Sequence, residues 1–136
     1  MKINPYLLFG GRCEEAFNFY ATALGAKIVT MMTYGDSPMP EMVPADFRGK
    51  IIHATLEIGD QTIMASDAPP DRFRPPQGFS VSLEVSDPAE AERLFSALSE
   101  KASVTMPLQK TFWSVRFGML VDQFGVPWMV NCSQAA

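Results

Sequence analysis

The predicted order of secondary-structure elements repeats once along this sequence, and that repeat constrains the fold more than any other feature. An apolar strand is followed by a helix and three strands, and the second half begins the same order again. The chain is therefore predicted to be α+β, a single domain made of two tandem βαβββ modules at residues 1–68 and 78–136. The predicted strands are residues 3–9, 26–33, 50–58, 61–66, 78–86, 104–106, 112–121 and 126–131.

The two predicted helices support a duplication at residue level. Shifting the sequence by 75 positions pairs Ala16 with Ala91 on the helices, and Val29-Thr30-Met31 with Val104-Thr105-Met106 on the following strands. The first helix is predicted over residues 12–24. The second is predicted to start at Pro88, with Asp87 as its N-cap.

Two proline-rich connections interrupt the first half and join it to the second. Residues 34–49 contain Pro38, Pro40 and Pro44 and are predicted to be too rich in proline for an α-helix. A connection of this length in a compact domain is often a lid. Residues 67–77 form the second proline-rich loop.

Composition limits the function. The chain has 136 residues, 47% of them hydrophobic, and a net charge of −4, so a folded domain with no nucleic-acid partner is expected. One histidine and two cysteines exclude a zinc site rich in Cys and His, and a disulfide scaffold.

No apolar run reaches the ~20 residues of a membrane span, and the N-terminus lacks a signal-peptide pattern. A cytoplasmic protein with no membrane partner is expected.

Four segments give the sequence a family resemblance. They are Asn4-Pro-Tyr-Leu-Leu-Phe9, Ile52-His53-Ala54, Met64-Ala-Ser-Asp67 and Gly118-Met-Leu-Val-Asp-Gln-Phe-Gly-Val-Pro-Trp128. With the doubled βαβββ order, they resemble the PhnB branch of the vicinal oxygen chelate superfamily, which includes glyoxalase I, extradiol dioxygenases and antibiotic-resistance proteins. The resemblance implies curved mixed sheets, each backed by a helix, around a cavity between the modules. It also implies a homodimer.

The resemblance further implies where metal ligands would stand, namely on the first, fourth, fifth and last strands. This sequence has Asn4 or Tyr6 at the first place and Met129, four residues beyond Gly125, at the last. The fourth strand offers Thr62, Met64 and Ser66, and the fifth offers Ser80 and Ser82. A thioether is a poor ligand for hard or borderline divalent ions, which prefer carboxylate or imidazole groups. We therefore expect a degenerate metal site, with no metal ligand and no cofactor assigned.

His53 and Glu57 are the predicted catalytic candidates. They alternate onto the polar face of the strand at residues 50–58, together with Thr55. A neutral imidazole facing a cavity can act as acid or base near pH 7. The alternatives are a hydrogen-bonded interior histidine and a solvated carboxylate.

The predicted ligand-binding residues come mainly from the second half. Aligning Ile58 with Val121 places Arg116 opposite His53 in the repeat, where a guanidinium would bind an anionic group. The alternative is a salt bridge from Arg116 to an interior glutamate. The full predicted ligand-binding set is Arg116, Tyr6, Glu84, Trp128 and Met129. The last hairpin is strongly aromatic, with Phe112, Trp113, Phe117, Phe124 and Trp128, and packing alone is an alternative explanation for these rings.

Two classes of function follow. The first is a PhnB-like protein that binds a small organic ligand in the cavity, with a degenerate metal site. The second is an enzyme acting on a small oxygenated or anionic substrate, with or without a divalent metal, in which His53 is the acid or base and Arg116 holds the anion. Methyl transfer is not expected, because the glycine-rich nucleotide turn of typical methyltransferases is absent.

Overall fold

The computed structural model describes residues 1–133 and divides into two compact units, the first from Met1 to Pro75 and the second beginning at Pro76. The first unit contains β1 (Tyr6–Phe9), α1 (Cys13–Leu24), β2 (Lys27–Thr33), β3 (Ile51–Ile58) and β4 (Gln61–Asp67). The second unit contains β5 (Val81–Val85), α2 (Pro88–Leu98), β6 (Ser103–Gln109), β7 (Ser114–Val121) and β8 (Pro127–Ser133). The predicted βαβββ order is present in both.

Each unit forms one four-stranded mixed sheet with the same strand order. The first sheet runs β1-β4-β3-β2 and the second runs β5-β8-β7-β6. The pairs β1–β4 and β5–β8 are parallel, and the remaining pairs are antiparallel. The predicted α+β class with two βαβββ modules is confirmed. No helix within residues 1–133 is long and apolar enough to cross a bilayer.

Each sheet has two unlike faces, because side chains alternate along a strand. In the first unit, Leu7, Ala54, Leu56 and Ala65 are at most 2% exposed, and they form the core with α1. We call this side the helix face of the sheet. The opposite side, which carries Tyr6 and other half-buried or exposed side chains, is the open face. The second sheet has the same two faces, with α2 on one side.

A buried carboxylate connects the elements of the first unit. Asp67, at the end of β4, is 1% exposed. Its Oδ1 accepts the backbone N–H groups of Gly11 at 2.9 Å and Cys13 at 3.0 Å, and its Oδ2 accepts that of Ile51 at 2.9 Å. These bonds satisfy donors at the start of α1, which otherwise lack a helical partner. Asp67 therefore joins the starts of α1 and β3 to β4.

The connection between β2 and β3 has its own small core. Two 3₁₀ turns, Pro40–Met42 and Ala45–Phe47, lie within the segment predicted to be irregular. Tyr34, Val43 and Phe47 are buried together there. Burial, reinforced by the charge of Asp67, raises the pKa of the Tyr34 hydroxyl. Proline blocks a longer helix but permits these short turns. The lid role stays a prediction.

The second unit confirms the predicted start of α2 and contains a second buried aspartate. Asp87 caps α2 by accepting the N–H of Ala89 at 3.0 Å. After β7, the Oδ1 of Asp122 accepts the N–H groups of Phe124 at 2.8 Å and Val126 at 2.9 Å. Its Oδ2 accepts the indole N–H of Trp128 at 2.8 Å. Asp122 thus holds the turn between β7 and β8.

A β-bulge at corresponding places aligns the two sheets. Ile28 lies opposite Leu56 in the first sheet, and Val104 lies opposite Leu120 in the second. In both sheets the next pair is displaced by a bulge. Leu56 and Leu120 are therefore equivalent, and Val104 matches Ile28. The predicted pairing of Val104 with Val29 was wrong by one residue.

This alignment corrects the predicted equivalence of His53 and Arg116. Counting back from the two leucines, His53 matches Phe117, and Arg116 matches Ile52. The prediction was wrong by one residue, and such a slip moves a side chain to the opposite face of the sheet. The cause is hairpin length, because β3 and β4 are joined by two residues whereas β7 and β8 are joined by five.

Candidate functional site

His53 lies between two hydroxyl groups on the open face of the first sheet. The Tyr6 hydroxyl is 3.2 Å from Nδ1, and the Thr55 Oγ1 is 3.3 Å from Nε2. The rings of Tyr6 and His53 are 5.8 Å apart, centre to centre. Pairing across β1, β4 and β3 places Tyr6 beside Met64 and Met64 beside Thr55, so the sheet itself brings these groups together.

This row of groups can hold or move a proton. A neutral imidazole has one N–H donor and one acceptor nitrogen, whereas a hydroxyl can donate and accept. If Tyr6 donates to Nδ1, then Nε2–H donates to Thr55, and the opposite tautomer reverses both bonds. Tyr6 is 45% exposed, so its hydroxyl is the end of the row that a ligand can reach.

The surroundings of the row are largely apolar. Leu8 and Met32 are 44% and 42% exposed on the same face, and Met64 is half-buried between Tyr6 and Thr55. A few polar groups among apolar side chains are typical of small-ligand sites. Glu57, the other predicted catalytic residue, lies about 13 Å further along β3, at ~3.3 Å per residue. The structure therefore does not bring Glu57 to His53.

The second open face carries a carboxylate–amide pair. The Asn131 side-chain N–H groups donate to both oxygens of Glu84, at 2.7 and 2.9 Å. The Ser114 Oγ lies 2.5 Å from Asn131 Oδ1 and also within hydrogen-bond distance of two backbone carbonyl oxygens. Ser133 Oγ is 3.4 Å from Glu84. Sequence reasoning identified Glu84 but missed Asn131. The sequence pattern could have identified Asn131, because this polar residue alternates with the apolar core residues of β8.

Three aromatic rings lie next to this pair. Phe117 is the register partner of Asn131, and its ring is 5.5 Å from that of Trp113. Trp113 in turn contacts Phe112 edge to face at 4.6 Å. Trp113 and Phe112 are 48% and 91% exposed. These rings contribute little to the core, in contrast to the packing alternative considered from the sequence.

Met129 lies on the same open face. Its register partners are Ser82 on β5 and Met119 on β7. The matching row of the first sheet is Tyr6, Met64 and Thr55. Across residues 1–133, no three His, Cys, Asp or Glu side chains form a group that could hold a metal ion.

Arg116 and Trp128 lie on the helix face of the second sheet. Arg116 pairs in register with the buried Cys132, and its Nε lies 3.2 Å from Glu92 Oε1 on α2. An ion pair was the predicted alternative, but its partner is on the helix rather than in the sheet. Trp128 is fully buried and hydrogen-bonded to Asp122. Neither residue shares a face with Glu84.

Cys13 and Cys132 are both free and buried. Burial raises the pKa of the Cys13 thiol, and the charges of Asp67 and Glu14 add to the effect. A thiol in this environment stays protonated and is a poor nucleophile. Cys13 is therefore a structural residue.

Comparison with known proteins matches nearly the whole chain to one family model. Residues 1–131 match the family described as 3-demethylubiquinone-9 3-methyltransferase. Protein YjdN of Escherichia coli is 34% identical over 139 residues, covering 96% of this chain and 95% of that protein.

Solved structures agree with this result. Protein PA1353 from Pseudomonas aeruginosa is 50% identical, with a TM-score of 0.91 over 99% of both chains. The PhnB protein from Bacillus cereus is 30% identical, with a TM-score of 0.78 over 98% of this chain and 100% of that one. A glyoxylase/bleomycin resistance protein/dioxygenase domain from Frankia has a TM-score of 0.69 over 98% of both chains. At 12% identity, that last likeness shows the fold alone.

Proposed function

The chain belongs to the 3-demethylubiquinone-9 3-methyltransferase family, and for this PhnB-like member we propose that it binds a small organic ligand. Its fold is that of a glyoxylase/bleomycin resistance protein/dioxygenase domain. The proposed contacts are on the open face of the first sheet, with Tyr6 and His53 as the polar groups. The observation that carries the proposal is the placement of the His53 ring between two hydroxyls, at 3.2 and 3.3 Å. The apolar side chains of Leu8, Met32 and Met64 lie on the same face.

Methyl transfer is not part of the proposal. The family description names a methyltransferase, but each sheet of this chain is a small mixed sheet and not the doubly wound parallel sheet of typical methyltransferases. The glycine-rich turn that would hold a nucleotide-like cofactor is also missing from the sequence. A family description by itself does not establish the reaction of a member.

We propose that the metal site of the superfamily is degenerate here. Tyr6, Met64, Ser82 and Met129 occupy the open faces where the resemblance places ligands. Hard and borderline divalent ions prefer carboxylate or imidazole groups to thioethers. Stoichiometric binding of Zn²⁺, Mn²⁺ or Ni²⁺ by the purified chain, measured by elemental analysis after dialysis, would contradict this.

The proposed binding site can be tested through the histidine itself, since the chain has one. Small carboxylates, phosphonates, phenols and alcohols are screened by thermal shift and by the NMR signals of the His53 ring. We expect compounds that stabilise the wild type to move these signals. Their stabilising effect should fall in His53→Ala and in Tyr6→Phe.

The control for this screen is Asn18→Ala, an exposed substitution on α1 of the same unit. It should leave the effect of every compound unchanged. The proposal fails if no compound stabilises the wild type, or if the stabilising compounds act equally on wild type, His53→Ala and Tyr6→Phe.

A second function, favoured by the same row of hydroxyls, is acid–base catalysis on the bound compound. His53 can pass a proton between Tyr6 and Thr55 because its two ring nitrogens contact different hydroxyls. Each binding compound is incubated with the protein, and product is sought by mass spectrometry. Turnover that is lost in His53→Ala supports catalysis, whereas binding without turnover supports the first function alone.

We also propose that the protein is a cytoplasmic homodimer. Both cysteines are free, as expected in a reducing compartment. Large exposed apolar side chains, including Phe112 and Phe79, are available for contact with a second copy. Light scattering after size-exclusion chromatography should give twice the 15.0 kDa mass of the chain. A monomer at micromolar concentration would refute the dimer.

A further inference from the structure

We infer that the open face of the second sheet is a further ligand site, which binds a positively charged nitrogen. The class of ligand is an organic cation, such as a quaternary ammonium compound. The residues that carry it are Glu84, Asn131, Phe117 and Trp113. They combine a negative charge on β5 with aromatic rings on β7 and in the loop before it, and Asn131 of β8 lies between them.

The negative charge comes from Glu84, which is exposed on β5. Its two oxygens accept hydrogen bonds from Asn131, which is neutral, and Ser133 lies beside it. These bonds fix the carboxylate but leave its charge uncompensated. The ion pairs found within residues 1–133 are those of Arg12, Arg93 and Arg116, each with a different glutamate. A cation from outside the chain would therefore be the charge partner of Glu84.

The aromatic rings come from β7 and the loop before it. Phe117 and Trp113 are tilted by 67°, and Trp113 and Phe112 by 81°, so the three rings present both faces and edges. A cation is attracted to the face of an aromatic ring within about 6 Å of its centre, and tryptophan is the strongest such partner. Trp113 is 48% exposed and is open to such a ligand.

Register places the charge and the rings within reach of one ligand. Glu84 lies beside Asn131 on one side, and Phe117 lies beside Asn131 on the other. Adjacent strands are about 4.8 Å apart, so the backbones of Glu84 and Phe117 are separated by about 10 Å. A compact ammonium group above Asn131 can contact the carboxylate on one side and a ring on the other.

An anionic ligand does not suit this face. The predicted anion anchor, Arg116, points to the helix face and pairs with Glu92. The side chains paired with Glu84 and Phe117 across β8 and β6 are the amides of Asn131 and Gln109, which carry no charge. The net charge of −4 favours the approach of a cation as well.

The test compares choline with 3,3-dimethylbutan-1-ol, its uncharged analogue of the same shape, titrated into the wild-type chain and followed by NMR. We expect choline to bind about five- to tenfold more tightly than the alcohol. Glu84→Gln, which keeps an oxygen acceptor but loses the charge, should lower that preference. The control Glu100→Gln removes an equal charge at an exposed position after α2 and should retain it.

Phe117→Leu provides a second variant that leaves Glu84 in place. It should weaken the binding of choline more than that of the alcohol, because only the cation loses an attraction to the ring. The inference is overturned if choline and the alcohol bind equally, if neither binds, or if Glu84→Gln behaves like Glu100→Gln. If other compounds move the His53 signals equally in the wild type and in Glu84→Gln, and choline shows no preference, the proposed function stands and this inference alone fails. If no compound binds at all, both fail.

Discussion

The open faces of the two sheets have the same strand order but carry side chains of different chemistry. The first carries an imidazole between two hydroxyls, and the second carries a carboxylate, an amide and aromatic rings. The position of His53 in the first sheet is that of Phe117 in the second. Because neither set packs against a helix, each can differ without loss of the core. A duplicated fold can therefore provide two different ligand surfaces.

The helix faces of the two units are more alike. Leu56 and Leu120 are equivalent and almost fully buried, and Ala16 and Ala91 are both fully buried. Each unit also depends on a buried aspartate, although the two carboxylates serve different segments. The comparison therefore predicts large effects from substitutions in the buried parts and small effects at the surface.

The largest effect is expected from the buried aspartates. Asp67→Ala leaves three backbone N–H groups, two of them buried, without their acceptor and should lower the free energy of unfolding by about 3–5 kcal/mol. Asp122→Ala should lower it less, because Asp122 closes a single local turn whereas Asp67 joins segments more than 50 residues apart. Urea denaturation measures both.

The exposed Asp71 provides the control for this comparison. Asp71→Ala should change the free energy of unfolding by less than about 0.5 kcal/mol. An Asp67→Ala protein as stable as Asp71→Ala would show that the connection through Asp67 is not needed. Equal losses at Asp67 and Asp122 would remove the distinction between a long-range and a local anchor.

A smaller effect is expected where the two helix faces differ. Gly118 occupies the place that Ala54 has in the first sheet. A Cβ on Gly118 would lie 2.7 Å from the Phe95 ring and 3.0 Å from the Leu108 backbone. Gly118→Ala should therefore cost about 1–3 kcal/mol through overpacking. Gly49→Ala, with no atom within 4 Å of its new Cβ, is the matched control. Equal thermal stability of the two variants would contradict the packing difference.

The smallest effect is expected at Arg116. Its side chain is 34% exposed and that of Glu92 is 58% exposed, so solvent screens the ion pair. A double-mutant cycle with Arg116→Met and Glu92→Gln should give a coupling energy below about 1 kcal/mol. A coupling of several kcal/mol would mean that the second unit relies on a sheet-to-helix ion pair. The first unit places Ile52 at the equivalent position.

The sequence predicted the fold well because periodicity and turn residues are local signals. Alternation in β3 correctly separated Ala54 and Leu56 from His53 and Thr55. Asp87 and Pro88 correctly marked the start of α2. These features depend on residues that are neighbours along the chain.

The candidate sites were predicted only in part, because they depend on partners that are distant along the chain. Arg116 was placed on the wrong face because the two hairpins differ in length. Asp67 could not be identified as an anchor, since its partners are backbone N–H groups of residues 11, 13 and 51. The bond between Glu84 and Asn131 depends on the parallel pairing of β5 and β8.

Both tryptophans of the chain, Trp113 and Trp128, belong to the second unit. Trp128 is fully buried beside Asp122, whereas Trp113 is half exposed. Intrinsic tryptophan emission therefore reports unfolding of the second unit, while far-ultraviolet circular dichroism reports both units. Transitions that coincide in the two signals identify cooperative unfolding of the whole chain, and transitions that separate reveal the stability of each half without a single substitution.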